Sequence, residues 1–309
     1  MKKAFFVLLL VLLLVLLLGA AACAESVTIA GKEYDASLET LDLSRVTITD
    51  VDALESALSA MPELTFVDLS YCGLSNETLA LLRTRMAEKG VKVVWTLRFD
   101  GYTVRTDATA FSTLHSSKDK RLGEATLGVL QYCTELKALD LGHNWIFDVS
   151  FLEPLTDLRV VILSDNRISD LSVLQGRPLE YLEAFNNRVD DISWLAGCDT
   201  LMDINLCLTH VDDLSPLYDM PNLKRVYISS SNGKTPSQEQ VNALLEHQPN
   251  LESYNFTSQY PTMYGWREDE HGVGHPRYEI VKAVFKEGTY YDFDYVLRKD
   301  QYVYLFTNK

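Results

Sequence analysis

Leu136-Lys137-Ala138-Leu139-Asp140-Leu141-Gly142-His143-Asn144-Trp145-Ile146-Phe147-Asp148-Val149 sets a pattern that the chain then repeats. Reduced to its fixed positions it reads Leu136-x-x-Leu139-x-Leu141-x-x-Asn144-x-Ile146-x-Asp148-Val149. It recurs as Leu158-x-x-Val161-x-Leu163-x-x-Asn166-x-Ile168-x-Asp170-Leu171 and Leu179-x-x-Leu182-x-Ala184-x-x-Asn187-x-Val189-x-Asp191-Ile192. A fourth copy is Leu201-x-x-Ile204-x-Leu206-x-x-Thr209-x-Val211-x-Asp213-Leu214, and a further strand follows at Leu223-x-x-Val226-x-Ile228. The starts at 136, 158, 179, 201 and 223 lie 22, 21, 22 and 22 residues apart, the signature of stacked structural units. In x-Leu-x-Leu-x a period of two turns the leucines to one side, so each coil has an apolar edge that only a neighbouring coil can cover.

Outside this block, 136–230, the period lengthens but the pattern holds. Leu38-x-x-Leu41-x-Leu43-x-x-Val46-x-Ile48-x-Asp50-Val51 comes first, then Leu64-x-x-Val67-x-Leu69-x-x-Cys72-x-Leu74, and a third start is expected at Val91-x-x-Val94. Leu79, Leu82 and Met86 have helical spacing within 76–89, and 237–247 is similar, so these longer units are expected to carry convex helices. Phe99-Asp100-Gly101-Tyr102 reads as a hairpin turn and Ala108-x-x-Phe111-x-Thr113 as a degenerate repeat strand, which makes 97–120 an insertion in one continuous solenoid. Leu251-x-x-Tyr254-x-Phe256 ends the series.

At these residues the chain resembles the leucine-rich repeat family, and the short repeat with Asn followed by apolar-x-Asp-apolar is similar to the internalin-type subclass of bacterial surface proteins. The resemblance covers Leu38 to Phe256. It implies an α/β solenoid, a leucine-rich repeat horseshoe with a parallel β-sheet on its concave face, a tight loop at each Asn, and a mixed 3₁₀ and α convex side. The aromatic-dense stretch 258–309 is expected to be a C-terminal cap over the end coil, with a last strand near Tyr302 to Phe306. The expected organisation is 1–24, 25–257 and 258–309: leader, repeat domain and cap.

The leader reading rests on basic Lys2 and Lys3, an apolar run from Ala4 to Leu18, and small residues from Gly19 to Ala24, the three-part layout of a signal peptide. The run falls short of the roughly 20 residues a spanning helix needs. Two cleavage modes fit: Ala22 and Ala24 as a small-x-small site, or lipid modification of Cys23 in the lipobox-like Ala20-Ala21-Ala22-Cys23. A secreted or surface location follows from either. The formal net charge of −15 repels phosphate backbones, which excludes nucleic acid as the expected partner. Cys72, Cys133, Cys198 and Cys207 have no tight metal-ligand spacing and read as buried free thiols, though three disulfide pairings are open to them.

Two polar ladders belong to the fold. Asn144, Asn166 and Asn187 turn amides into the coils to satisfy loop backbone groups, and Asp148, Asp170, Asp191 and Asp213 cap the convex turns, with a calcium array as the competing reading. No nucleophile elbow, phosphate loop or HExxH helix is present, so no cofactor and no catalysis are expected. The string His271-Gly272-Val273-Gly274-His275, with Glu268 and Asp269 near Trp266, leaves a metal-dependent enzyme at the C-terminal region as a remote alternative. The residues between the leucines alternate to the concave side. Val160, Ile162, Tyr181, Glu183, Phe185, Met202, Asn205 and Tyr227 are therefore the expected binding face, with Tyr181, Phe185 and Tyr227 as anchors for a protein or a glycan. A cell-envelope scaffold is the alternative, should the insertion or the C-terminal tail fold over that patch and close it.

Overall fold

The computed structural model describes residues 26–113, 121–229, 236–257 and 265–293. The expected leader with Cys23 and the expected strand near Tyr302 to Phe306 lie outside the described residues. The chain forms two compact units that meet in sequence between Thr96 and Leu97.

The first unit opens with a hairpin absent from the repeat pattern: β1 (Ser26–Ile29) and β2 (Lys32–Asp35) pair antiparallel across Ala30 and Gly31, both with positive φ. Strands β3 (Thr40–Asp42), β4 (Phe66–Asp68) and β5 (Lys92–Val94) then form a three-stranded parallel sheet. Helix α1 (Val51–Ser59) follows β3, capped by Asp50, and helix α2 (Asn76–Ala87) follows β4, capped by Ser75, as the spacing predicts. Leu41, Val67 and Val93 are register partners. The inward valine of the third coil is thus Val93 rather than Val94, one residue off the spacing read from the sequence, because Trp95 takes the second inward slot and is buried.

A further hairpin, β6 (Thr96–Phe99) and β7 (Tyr102–Arg105), lies in the second unit from its second residue onward and turns at Asp100 and Gly101 as expected. After it come β8 (Ala110–Ser112), the short helix α3 (Glu124–Leu127), and strands β9 (Ala138–Asp140), β10 (Val160–Ile162), β11 (Tyr181–Glu183), β12 (Asp203–Asn205) and β13 (Arg225–Tyr227). Helix α4 (Gln238–His247), strand β14 (Ser253–Asn255) and helix α5 (Pro276–Glu287) complete it. Strands β8 to β14 form one seven-stranded parallel sheet in chain order. The parallel sheet is therefore two ladders of three and seven strands among the described residues, where the sequence was read as one continuous series. The degenerate stretch around Phe111 does supply a repeat strand, since Phe111 pairs with Leu139.

Leu139, Val161, Leu182, Ile204 and Val226 are successive register partners, and each is fully buried. The period of two therefore does what alternation requires, sending every second side chain into the coil. Each coil of 21 or 22 residues returns through a 3₁₀ turn, at Ser150–Leu152, Ser172–Leu174, Ser193–Leu195 and Ser215–Leu217. The Ser backbone N–H of each turn donates to the preceding ladder aspartate, at 2.8 Å for Asp148, 2.7 Å for Asp170, 2.8 Å for Asp191 and 2.9 Å for Asp213. These carboxylates each close an Asx turn on their own coil.

The asparagines tie one coil to the one before it. The Asn166 amide nitrogen donates to Leu163 O at 2.9 Å in its own coil and to Leu141 O at 3.0 Å in the previous one. Its oxygen accepts the Ile146 N–H at 3.0 Å. Asn187 repeats this with Ala184, Leu163 and Ile168. Asn144 accepts from Leu122 N–H and donates to Leu141 O and the Thr113 hydroxyl. The residue before the asparagine slot is left-handed in these four coils, His143, Asp165, Asn186 and even Leu208, and at Leu208 the geometry is set by the stack rather than by local preference. Asn166→Ala leaves at least the buried Ile146 N–H without an acceptor. A loss of about 1–3 kcal/mol in urea unfolding, with an unchanged circular dichroism spectrum, is the expected result.

Candidate functional site

Seven of the eight expected concave residues come together on the concave face of the seven-stranded sheet, with Met202 packed at its side, but that face is not open. Val160, Tyr181, Glu183 and Asn205 have no exposed surface, Ile162, Phe185 and Tyr227 are buried, and Met202 is partly buried against them. What covers them is the described part of the expected cap, residues 265–293, here called the strap. Trp266, Ile280, Val281, Val284, Phe285 and Phe293 of the strap join Val160, Tyr181, Phe185 and Tyr227 in one apolar cluster. The strap crosses the strands: Arg277 at the start of α5 reaches Asp203 and Glu252, and Thr109, just before β8, accepts from the Tyr290 N–H through its hydroxyl. It lies along the concave face rather than over the end coil. The physical reason is in the face itself, whose tyrosines, valine, isoleucine and phenylalanine have apolar area to bury.

One expected site residue is displaced by a single position. The register pairs Tyr181 with Asp203 and Asp203 with Arg225, so the outward slot given to Met202 belongs to Asp203. Asp203 is fully buried and gripped by two arginines. Arg225 donates to it at 2.9 and 2.7 Å, and Arg277 at 2.8 and 2.9 Å. Burial alone would raise its carboxyl, yet the two guanidinium groups more than offset that and hold it below the usual carboxylate range.

Trp266 sits in a slot made by the repeats. Its ring centroid lies 5.3 Å from that of Tyr181 and 5.2 Å from that of Tyr227, with the Arg225 guanidinium 4.4 Å from the indole centroid. Its Nε1 donates to Glu183 Oε2 at 2.6 Å, and the Tyr181 hydroxyl donates to the same oxygen at 2.8 Å. Arg267 Nη2 donates to Glu183 Oε1 at 2.7 Å. Arg225 Nη1 donates to the carbonyls of Trp266 at 2.6 Å and Gly265 at 3.2 Å. Farther along, Glu180 accepts from the Tyr290 hydroxyl at 2.6 Å and from Arg159 at 3.0 Å.

Among the described residues Asp140 is the buried carboxylate without an arginine at hydrogen-bond distance. It accepts from the Gly142 N–H and the Ser112 hydroxyl, both at 3.0 Å. Burial first, and then the nearby Glu183, push its pKa up to about 6, against the lowering effect of those hydrogen bonds and of Arg267. A raised folded-state value means that its contribution to stability is fully present below the unfolded value of 3.8 and is lost as pH rises through about 6. His275, which caps α5, is pushed down to about 4 by burial and by Arg225 and Arg277, and works in the opposite sense, its contribution being lost as pH falls toward 4. Asp140→Asn isolates the first effect. The variant is expected to be more stable than the parent by on the order of 2 kcal/mol at pH 8, with the advantage vanishing by pH 4, in paired urea titrations.

The histidine string does not converge. Asp269 Oδ1 accepts the N–H groups of His271 and Val273 in a tight turn, His271 is exposed beside Glu270, and His275 sits at the helix start. Among the described residues no three His, Cys, Asp or Glu side chains are gathered as a metal site, and no helix is long and apolar enough to cross a membrane. Cys72, Cys133, Cys198 and Cys207 are free thiols, and burial raises the thiols of Cys72, Cys198 and Cys207, that of Cys207 to about 11.

Exposed aromatic surface of the second unit lies instead on the loop edge and, at Tyr254 of β14, on the end coil. Trp145 and Phe147 are 51% and 47% exposed, and the exposed Arg167 guanidinium lies 5.2 and 5.3 Å from their ring centroids. Beside them Asp165 accepts from His143 and Arg121, each at 2.9 Å. A tryptophan after the first asparagine, where the next two coils carry Arg167 and Arg188, is the signal in the sequence for this cluster, and the expected binding face does not include it.

No family model matches the chain. Over 99 residues it is 32% identical to a probable inactive serine/threonine-protein kinase of Dictyostelium discoideum, a match covering 31% of this chain and 5% of that protein, so it spans a small fraction of that relative's length. Among solved structures it is similar to internalin C2 of Listeria monocytogenes, at 24% identity and a TM-score of 0.31, covering 60% of this chain and 69% of that one. It is also similar to a leucine-rich repeat protein of Leptospira interrogans, at 18% identity and a TM-score of 0.41, covering 71% and 60% of the two chains. By repeat and by strand register, its fold is that of a leucine-rich repeat solenoid.

Proposed function

We propose that this chain is an exported, non-catalytic protein-recognition solenoid that meets its partner at the loop edge around Trp145, Phe147 and Arg167. The observation that carries this reading is the contrast between two aromatic surfaces. The concave aromatics are buried under the strap, whereas two large rings on the loop edge are half exposed and share one arginine. Tryptophan, tyrosine and arginine are the residues in which interface energy concentrates, and here two exposed rings sit together around one arginine rather than scattered singly. A secreted or surface location is supported by the basic and apolar opening of the sequence. The filled concave face favours a second reading, a cell-envelope scaffold with no open site.

Photocrosslinking separates the two. With Phe147→benzoylphenylalanine on intact producing cells, a discrete protein adduct is expected, and it should disappear when Trp145→Ala and Arg167→Ala are added. The same crosslinker at Val273, which is 63% exposed on the strap, should give none. Equal, diffuse labelling at both positions would favour the scaffold.

A further inference from the structure

Five outward positions that follow the inward residue on their strands, Asp42, Asp68, Asp140, Asn205 and Asn255, accept the backbone N–H two residues on, which closes the strand exit within the repeat. Glu183 occupies the same slot and does not do this. Its carboxylate, fully buried, is held by Tyr181 from its own strand at 2.8 Å and by a marginal 3.5 Å contact from the Ser164 hydroxyl. Its two short external donors, an indole N–H and a guanidinium, both come from the strap, more than 80 residues away in sequence. A buried carboxylate is costly unless a cation and hydrogen bonds meet it, so the repeats alone present an acid that requires something brought to them.

The surroundings specify what must be brought. Tyr181 and Tyr227 flank a ring-sized slot, and Arg225 stacks on whatever ring fills it while donating to two successive backbone carbonyls. The residue before the ring is Gly265, with φ +93°, and a Cβ there would run into the Tyr227 hydroxyl. The slot therefore accepts glycine, then tryptophan, then a cation.

We propose that the concave face of the second unit is a recognition site for a peptide segment of the Gly-Trp-Arg type, which the chain's own Gly265, Trp266 and Arg267 occupy in cis. Charge complementarity commits the occupant. Among the described residues no arginine of the repeats hydrogen-bonds Glu183, so an acidic peptide or a neutral glycan would leave that acid buried and unmatched. This site is distinct from the loop edge, and Trp145→Ala should leave it untouched.

The probe is a fluorescent synthetic peptide with the sequence of residues 265–270, which fits the vacated slot while the chain's own α5 stays in place, added to the full chain and followed by anisotropy. In the parent the cis segment competes, so apparent affinity is reduced by the fraction of time the site is vacated. The full-chain variant Trp266→Ala with Arg267→Ala is expected to bind the peptide at least about tenfold more tightly than the parent does. A peptide carrying Gly265→Ala should lose that gain, and so should Glu183→Gln in the receptor. Arg267→Gln alone, which keeps the indole in place, serves if the double variant does not fold, and a gain of about threefold is expected of it. Variants that unfold cooperatively like the parent yet bind no peptide would overturn the proposal. So would loss of cooperative unfolding in both variants, since the strap would then be part of the folding core and not an occupant.

Discussion

Trp266→Ala is expected to be among the most damaging single substitutions in the second unit, costing about 3–5 kcal/mol in denaturant unfolding. The side chain is completely buried, and removing it empties the slot between Tyr181 and Tyr227. It also deprives buried Glu183 of one of its two short external donors and Arg225 of the ring on which it stacks. The cavity and the unmatched polar atoms add, which places the cost at the upper end for a large-to-small change. The melting temperature of the unit should fall on the order of 10 °C. Dye binding to the uncovered apolar face should rise at temperatures where the parent is silent. An unchanged melt would mean that the indole is not held as described.

Arg225→Met is the second large effect expected, again about 3–5 kcal/mol. Arg225 has no exposed surface and makes four hydrogen bonds, two to Asp203 and one each to the carbonyls of Gly265 and Trp266. Arg277 makes two equivalent bonds to Asp203, but its other partner, Glu252, is 47% exposed in its side chain and regains water when released. Arg225→Met should therefore cost more than Arg277→Met in matched urea titrations, although both delete an arginine from the same carboxylate. The loss at Arg225 should change little between low and high salt, because a pair this buried is poorly screened. A cost that falls away in high salt would place the pair at the surface.

Much of this architecture was legible in the sequence because a solenoid is specified locally. Leu139, Val161, Leu182 and Ile204 each need only a neighbouring coil, and a constant 21 or 22 residues delivers it; the asparagine and aspartate ladders follow from the same register. Errors of one residue arose where the inward position is not leucine. Val93 and Val94 are alike to a periodic reading, and Met202 looked like an interface residue, although Leu201-x-x-Ile204 itself puts Asp203 outward. The strap was harder for a physical reason. Repeats encode contacts between adjacent coils, whereas Trp266 meets Glu183 across more than 80 residues, and no period links them. There was nevertheless a signal in Asp140, Glu183 and Asp203. Acids between leucines on an otherwise apolar face need cations once that face is covered, and Arg267 and Arg277 are among the three arginines of the tail. The helix α5 was similarly readable, with Pro276 at its start, Gly288 in the left-handed conformation at its end, and Ile280, Val281 and Val284 on one stripe. Aromatic density drew attention to an end cap instead.

The central claim is that the concave face of the second unit is covered by residues 265–293 in the native chain. Hydroxyl-radical footprinting of the unmodified protein tests it without a substitution, since the side chains carry their own controls. Trp145, half exposed on the loop edge, should be oxidised readily, while Trp266, Tyr181 and Tyr227, with 0%, 0% and 3% exposure, should be protected until the unit unfolds. Oxidation of Tyr181 and Tyr227 at a rate near that of Trp145 in the folded protein would contradict the account.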